Sequence, residues 1–251
     1  MKTAEAHKSG GIAKEGPEND MDAATPSGTE AAVDEEVRRF DGLPVATIVD
    51  AMYQLNMKEG ALEPHVKRIA GPRIAGRART VDRVVIPRNS SQAAMHPSLG
   101  LALYDTIDSL MPGEVLVISG GDASYATLGD NQALRCTMRG AVGVVTDTAV
   151  RDTQAIDALG FGAYAAGVSV RPGQFRLVTV AVDRPVVCGG VLISPGDIVV
   201  GDEDGVVVIP AKDADAVATR AREVEDLERR KHASLREGMP IVEAVKTYNI
   251  R

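Results

Sequence analysis

Between residues 114 and 159 the chain alternates apolar, β-branched runs with stretches of helical spacing, and this alternation restricts its fold more than any other feature. "EVLVISGG" begins after a Pro112-Gly113 break, and "GAVGVVT" follows one helix-length later. The spacing predicts a strand over 114–119, a helix over about 126–139, a strand over 142–146 and a helix over about 152–159. Strands separated by helices of this length lie parallel, because a parallel return needs a long crossover, and the crossover helices cover the sheet. The expected fold class is therefore α/β.

The flanking segments extend this plan. "VDEEVRRF" and "LPVATIVDAMYQLN" have helical spacing, with Val45, Ile48, Val49, Met52 and Leu55 recurring every three or four positions and Pro44 suited to a first turn. "IAGPRIAGRARTVDRVVIP" reads as a turn and then a strand, and "SLGLALYDTIDSLM" as a helix. After "GAYAAGVSVRPG" come short β-rich pieces, "FRLVTVAV", "PVVCGGVLI", "DIVVGDEDG" and "VVVIP", which predict a second, largely antiparallel sheet packed on the first. Residues 211–237 form a long charged helix whose apolar anchors are Val217, Val224, Leu227 and Leu235, a pattern that fits a partner subunit or an exposed edge. Residues 1–32 are rich in small and charged residues and nearly empty of large apolar ones, so a disordered tail is expected before a single domain over 33–240 and an extension over 241–251.

Charge and composition exclude several functions. Lys plus Arg number 28 against 35 Asp plus Glu, and a net charge of −7 does not favour binding to a nucleic-acid backbone. Trp is absent and Phe numbers three, so stacking on bases has little to draw on. No stretch approaches the roughly 18 apolar residues of a membrane span, and no apolar secretory segment opens the chain. A cytoplasmic protein that binds neither nucleic acid nor membrane is expected. Cys136 and Cys188 are too few for a disulfide framework or a zinc site and read as buried free thiols. The four histidines share no ligand spacing. "GFGAYA" at 160–165 matches a dinucleotide fingerprint in letters, but it follows a helix and leads into a strand, the reverse of the order that chemistry needs.

The informative stretch is "SGGDASYATLGDNQALRCTMRGAVGVVTDTAVRD", residues 119–152. Asp130 lies at a helix start and Asp152 at the next, each after a strand, so two carboxylates and Arg151 converge where open α/β sheets bind ligands. Arg151 has the planar fork that matches a carboxylate, and Asp130 and Asp152 supply hard oxygens suited to Mg²⁺ or Mn²⁺. The competing reading makes Asp152 a helix cap and Arg151 its surface ion-pair partner. Asp147 reads as a structural acceptor for loop N–H groups, and Asp202 and Asp204 in "GDEDG" as parts of a tight turn.

"LGDNQALRCTMRGAVGVVTDTAVRDTQAI", together with "GRARTV", "PGEVLVISGG", "YAAGVSV", "PGDIVVGDEDGVVVIP" and the closing charged helix, resembles the RraA-like family in order and content over roughly residues 43–240. That family includes metal-dependent 4-hydroxy-4-methyl-2-oxoglutarate and 4-carboxy-4-hydroxy-2-oxoadipate aldolases, which also decarboxylate oxaloacetate, and noncatalytic inhibitors of ribonuclease E. The resemblance implies an α/β swivelling-type domain with two packed sheets and flanking helices. It also implies a small-molecule 2-oxo acid as substrate. By motif it gives Arg151 the substrate carboxylate and enolate oxygen, and Asp152 the metal ion. Asp130 would order a water, with Gly129, Asn131 and Gln132 at the pyruvate carboxylate. It further implies a homotrimer or hexamer in which a Glu of a neighbouring subunit's C-terminal helix, matched to Glu228 with Glu225 as the alternative, completes the site. Many members carry Gly where this chain has Thr148, which predicts a narrower pocket beside Arg151. A noncatalytic regulator and a sugar-acid dehydratase or lyase are the alternatives on the same scaffold.

Overall fold

Every residue of "EVLVI" is apolar or shielded because both faces of its strand are covered. β1 (Lys67–Ala70) and β2 (Ile74–Val85) precede α3 (Pro97–Asp108), itself preceded by α1 (Glu35–Arg38) and α2 (Val45–Gln54). β3 (Glu114–Ser119), β5 (Gly143–Val150) and β6 (Gly162–Val168) then lie parallel to one another, with β2 parallel on the far side of β3. Leu116 and Ile118 face one core with Leu103 and Ile107 of α3, Ala133 and Cys136 of α4 (Asp130–Met138), and Ile156 of α5 (Thr153–Ala158). Val115 and Val117 face a second core with Val145, Tyr164, Val199 and Val208. A strand buried on both sides cannot alternate apolar and polar residues. The computed structural model describes residues 34–57, 60–86, 97–173 and 176–249. The tail expected over 1–32 and most of the loop "RNSSQAAMHPS" lie outside them.

The antiparallel strands arise as expected, yet they are joined to the parallel ones rather than standing as a separate sheet. β2 is twelve residues long. Its first half pairs with β10 (Ile198–Gly201), which pairs with β11 (Val206–Ile209), and its second half pairs with β7 (Leu177–Val182). One mixed sheet in the order β1-β6-β5-β3-β2-β10-β11 therefore curls until its two limbs pack face to face. β8 (Val186–Cys188) and β9 (Val191–Ile193) form a separate hairpin whose turn, Gly189-Gly190, has positive φ at both residues, as two-residue hairpins prefer.

Two further differences have simple causes. The helix predicted from about residue 126 begins at Asp130, because Ala126–Leu128 forms β4 and pairs with the C-terminal half of β5, beyond the end of β3. α6 (Ala214–Arg236) packs its first half on its own chain, with Val217, Ala218 and Ala221 against Ile48, Met52 and Val207. The extension after Gly238 carries α7 (Ile241–Tyr248), tied to α6 by a 2.6 Å hydrogen bond between the Ser234 and Tyr248 hydroxyls. Cys136 and Cys188 are free and buried, and burial pushes the Cys136 thiol up to about 12. Among the described residues no helix is long and apolar enough to cross a membrane.

Asp202 shows how the β10-β11 turn serves the helices. Pro44, at the N-cap of α2, has no side-chain oxygen to offer the first N–H groups. The buried Asp202 supplies it: Oδ2 accepts from the Val45 N–H at 2.8 Å, while Oδ1 accepts from the Asp204 N–H at 2.9 Å. Asp202→Ala is expected to lower the unfolding free energy by about 1–3 kcal/mol, since it leaves a buried helix-start donor unsatisfied. Urea unfolding that shows no loss would refute this assignment.

Candidate functional site

β4 continues the lane that β3 leaves, so the chain segments that follow β4 and β5 emerge side by side. Leu128 pairs with Val150, and the Arg151 N–H donates to the Leu128 carbonyl at 3.0 Å. One residue on, each strand turns into a helix, α4 beginning at Asp130 and α5 after Asp152. Asp130 and Asp152, which lie apart in sequence, are thereby brought together: the Asp130 N–H donates to Asp152 Oδ2 at 3.3 Å.

Asp152 decides between the two readings of the Arg-Asp pair. Its backbone is left-handed, with φ 57° and ψ 37°, a region where a non-glycine residue costs on the order of 1–3 kcal/mol, Asp and Asn being the better tolerated. Although Asp152 holds the N-cap position of α5, its carboxylate makes no capping hydrogen bond there. It turns instead toward α4 and lies 3.3 Å from Arg151 Nε, with both side chains about two-fifths exposed. An ion pair so exposed contributes about 0–1 kcal/mol, which does not offset the backbone conformation. The cap is absent, and the pair alone gives no reason for the strain. Strain held against such small local returns is a feature of ligand sites.

Gly129 is part of the same construction. A Cβ at this position would lie 2.6 Å from Asp152 Oδ2 and 3.0 Å from Arg151 Nε, so glycine lets the strand end pass against the two charged groups where they stand. Its N–H donates to Gln132 Oε1 at 3.1 Å, which fixes the first turn of α4. The Asn131 N–H donates to Asp130 Oδ1 at 2.7 Å. A cleft of about 280 Å³ opens beside these groups, lined by Tyr104, Ile107 and Asp108 of α3, by Asn131, Gln132 and Arg135 of α4, and by Arg151.

The remaining predicted residues fall elsewhere. Glu228 lies on α6, where its Oε2 accepts from the Thr47 hydroxyl of α2 at 3.2 Å, and it does not line the cleft of its own chain. Asp147 binds loop N–H groups: Oδ1 accepts from Gly120 at 2.8 Å and Gly121 at 2.9 Å, and Oδ2 lies 3.4 Å from the Gly189 nitrogen. Thr148, expected in a turn where it would narrow the pocket beside Arg151, sits instead buried inside β5 with its hydroxyl 2.8 Å from that of Thr146. Its methyl occupies the space where a Cβ of Gly120 would be, at 2.6 Å, so the glycine yields to it. Tyr104, Ile107, Asp108 and Arg135 were not anticipated. Their one sequence signal is helical spacing, which puts Arg135 one turn after Asn131 on α4.

Among the described residues no group of three or more His, Cys, Asp or Glu gathers into a metal cage. Asp130 and Asp152 are not among the residues that line the cleft, but as donors beside its Arg151 edge they suit a hard divalent ion. Mg²⁺ is held by one or two carboxylates and keeps several waters, and Asp152, half-exposed and unused as a cap, with Asp130 beside it, supplies such oxygens.

The profile of the RraA-like family, described as Aldolase/RraA, matches residues 45–208. A protein of Halalkalibacterium halodurans named as a candidate 4-hydroxy-4-methyl-2-oxoglutarate aldolase is 31% identical over 189 residues, covering 74% of this chain and 81% of its own. Among solved structures, an uncharacterized protein from Pseudomonas syringae pv. tomato superposes with a TM-score of 0.71 at 28% identity, over 84% of this chain and 96% of that one. Streptomyces coelicolor RraAS2, described as an unusual member of the RNase ES inhibitor RraA protein family, superposes with a TM-score of 0.68 at 28% identity, over 79% and 96%.

Gly129→Ala should displace the Arg151 and Asp152 side chains and cost about 1–3 kcal/mol of stability, the usual penalty for overpacking a tight contact. Wild-type urea stability in that variant, with both side chains unmoved in its crystal structure, would show that the close approach is not required.

Proposed function

The chain belongs to the RraA-like, Aldolase/RraA family, and from that premise we propose that it is a divalent-metal-dependent lyase that cleaves 2-oxo acids to pyruvate, as a 4-hydroxy-4-methyl-2-oxoglutarate-type aldolase, an oxaloacetate decarboxylase or both. The observation that carries this reading is the Asp152 carboxylate, held in a left-handed backbone, released from capping and aimed at the start of α4 beside Arg151.

The chemistry asked of the residues is enolate stabilisation. Asp152 would hold Mg²⁺ or Mn²⁺, which when bound supplies Lewis-acid polarisation of the substrate ketone. Arg151 would pair with the 2-oxo acid and neutralise the oxygen that becomes negative as the C3–C4 bond breaks, a role in which its fixed fork surpasses a point charge. The first turn of α4, at Gly129, Asn131 and Gln132, would orient the substrate carboxylate, and the Gly129 and Asn131 N–H groups would have to exchange their Gln132 and Asp130 partners to do so. Asp130 would order the water that takes the C4 hydroxyl proton. In a trimer or hexamer Glu228 of a neighbouring subunit would assist, and it would have to exchange its Thr47 partner to do so. Loss of CO₂ from oxaloacetate gives the same enolate without that proton transfer.

The likeness to RraAS2 favours a second reading, in which the chain regulates a ribonuclease without catalysis. That role asks nothing of Asp152.

Pyruvate release from oxaloacetate and from 4-hydroxy-4-methyl-2-oxoglutarate is expected to require Mg²⁺ or Mn²⁺, to stop on chelation, and to vanish in Asp152→Ala. Arg151→Lys should lower kcat/KM by about a hundredfold or more, comparable to removing an oxyanion donor. Folded, metal-supplied protein that turns over neither substrate would sink the lyase reading and leave the regulator. Turnover that survives chelation would sink the metal dependence.

A further inference from the structure

The proposed chemistry ends on a pyruvate enolate and gives no residue the task of protonating it. To leave as pyruvate, the enolate must gain a proton at C3, and the donor has to stand on the cleft. Tyr104 meets that requirement. It shares one face of α3 with Ile107 and Asp108, three and four positions on, and the three residues line the cleft together. Asn131, Gln132 and Arg135 of α4 line it as well, with Arg151. At about 280 Å³ the cleft sits at the small end of ligand pockets, which run from about 300 Å³ upward, so a 2-oxo acid anchored at Arg151 also lies against the α3 wall.

The other lining groups are unsuited to the task. Arg135 and Arg151 do not give up their protons, and the amides of Asn131 and Gln132 do not titrate. Asp108 is a carboxylate that accepts from Arg135 Nε at 2.5 Å and has no proton to offer. Asp130 and Asp152, beside the Arg151 edge, are committed to water and to the metal. A phenol is a far stronger acid than the methyl group of a 2-oxo acid, so transfer from Tyr104 to the enolate carbon runs downhill.

The sheet behind α3 supplies a matching charge. Arg83 of β2 is buried at 8% exposure and donates to two neutral acceptors, Thr127 Oγ1 at 2.7 Å and the Leu177 carbonyl at 2.8 Å. Its Nε has no partner, and no carboxylate among the described residues pairs with it. Burial pushes its pKa down to about 10, which leaves it a cation near neutrality, and the group that opposes this shift is Tyr104. A buried cation without a counter-ion favours negative charge nearby, and a phenolate at Tyr104 is such a charge. Tyr104 is itself 41% exposed, so its oxygen exchanges protons with solvent.

Resting on the 2-oxo acid reading above, we infer that Tyr104 is the acid that protonates the pyruvate enolate at C3, with Arg83 as the positioning residue that stabilises the phenolate left behind. The phenolic O–H bond breaks as the C3–H bond forms. The electron pair of the C2–C3 double bond enters that new bond, the C2 oxygen regains its carbonyl, and the phenolate recovers a proton from solvent.

The test compares wild type with Tyr104→Phe, both supplied with Mg²⁺ and both shown to be folded by their unfolding transitions. Oxaloacetate loss is followed by its own absorbance, pyruvate in the ketone form by coupled reduction with lactate dehydrogenase, and exchange of the pyruvate methyl hydrogens in D₂O by NMR. In wild type the oxaloacetate and pyruvate curves should coincide. Tyr104→Phe should consume oxaloacetate within about twofold of the wild-type rate, because CO₂ departs before the proton arrives. Its pyruvate should lag behind, and its methyl exchange should fall about a hundredfold or more, the scale of one positioned acid. Arg83→Met should slow exchange when Tyr104 is present and add nothing in Tyr104→Phe, as a residue acting through the phenol must; equal slowing in both would overturn its positioning role. Wild-type exchange in Tyr104→Phe would overturn the role of Tyr104, as would exchange and oxaloacetate loss that fall in step with coincident curves. Wild type that consumes oxaloacetate without exchanging pyruvate would also overturn it and leave the 2-oxo acid reading standing. If folded wild type with Mg²⁺ does neither, the 2-oxo acid reading fails, and the role of Tyr104 fails with it.

Discussion

The hydrogen bond from the Arg151 N–H to the Leu128 carbonyl is the contact on which the site depends. It closes the short ladder between β4 and β5 at the point where both chains leave the sheet. Without it, the starts of α4 and α5 would have no fixed relation, and Asp130, Arg151 and Asp152 would be three separate surface charges. β4 itself exists because β3 stops at Ser119 and leaves the C-terminal half of β5 with an open edge. An unpaired edge in the middle of a sheet leaves buried donors unmet, and Ala126–Leu128 meets them.

That arrangement also explains which parts of the molecule could be read from the residues. The strand over 114–119 and the starts of α4 and α5 follow from local signals: a Pro-Gly break, a Gly before an acidic residue, a β-branched run followed by Arg-Asp. β4 does not. "ATL" has no periodicity to distinguish it from the helix it precedes, and its strand character comes from a partner that lies twenty or so residues away in sequence. The branching of the sheet at β2 was hidden for the same reason. A twelve-residue strand announces its length, but nothing in "IAGRARTVDRVV" says that its two halves take different partners. The Asp108–Arg135 pair joins two helices and is likewise a tertiary fact, although the turn-by-turn spacing of Asn131 and Arg135 was there to be read.

The α6 helix shows the limit from the other direction. Its scarcity of apolar residues points to an edge or a partner, yet its first half packs on its own chain: small residues, Ala218 and Ala221 among them, let it lie close against α2 and β11. Alanines carry little weight in a reading based on large side chains, yet close approach of two helices rewards them. Only beyond Val224 do the anchors Leu227 and Leu235 become partly exposed, and Glu228 belongs to that stretch.

The carboxylates at the strand ends divide by how their hydrogen-bonding capacity is used. A carboxylate accepts at about four positions. Asp147 gives its oxygens to the N–H groups of Gly120, Gly121 and Gly189, and Asp202 to those of Val45 and Asp204, most at distances under 3.0 Å. Asp147 lies within β5 and Asp202 directly after β10, beside loops that would otherwise carry unmet donors, and both hold those loops in place. Asp152 has the same opportunity at the first turn of α5 and forgoes it, accepting one N–H bond at 3.3 Å while its backbone sits in the left-handed region. A carboxylate kept this free retains capacity for a cation, and the guanidinium it only partly satisfies retains N–H donors for an anionic ligand. The rigid sheet below it, satisfied on both faces, is what allows one residue to be held in that state.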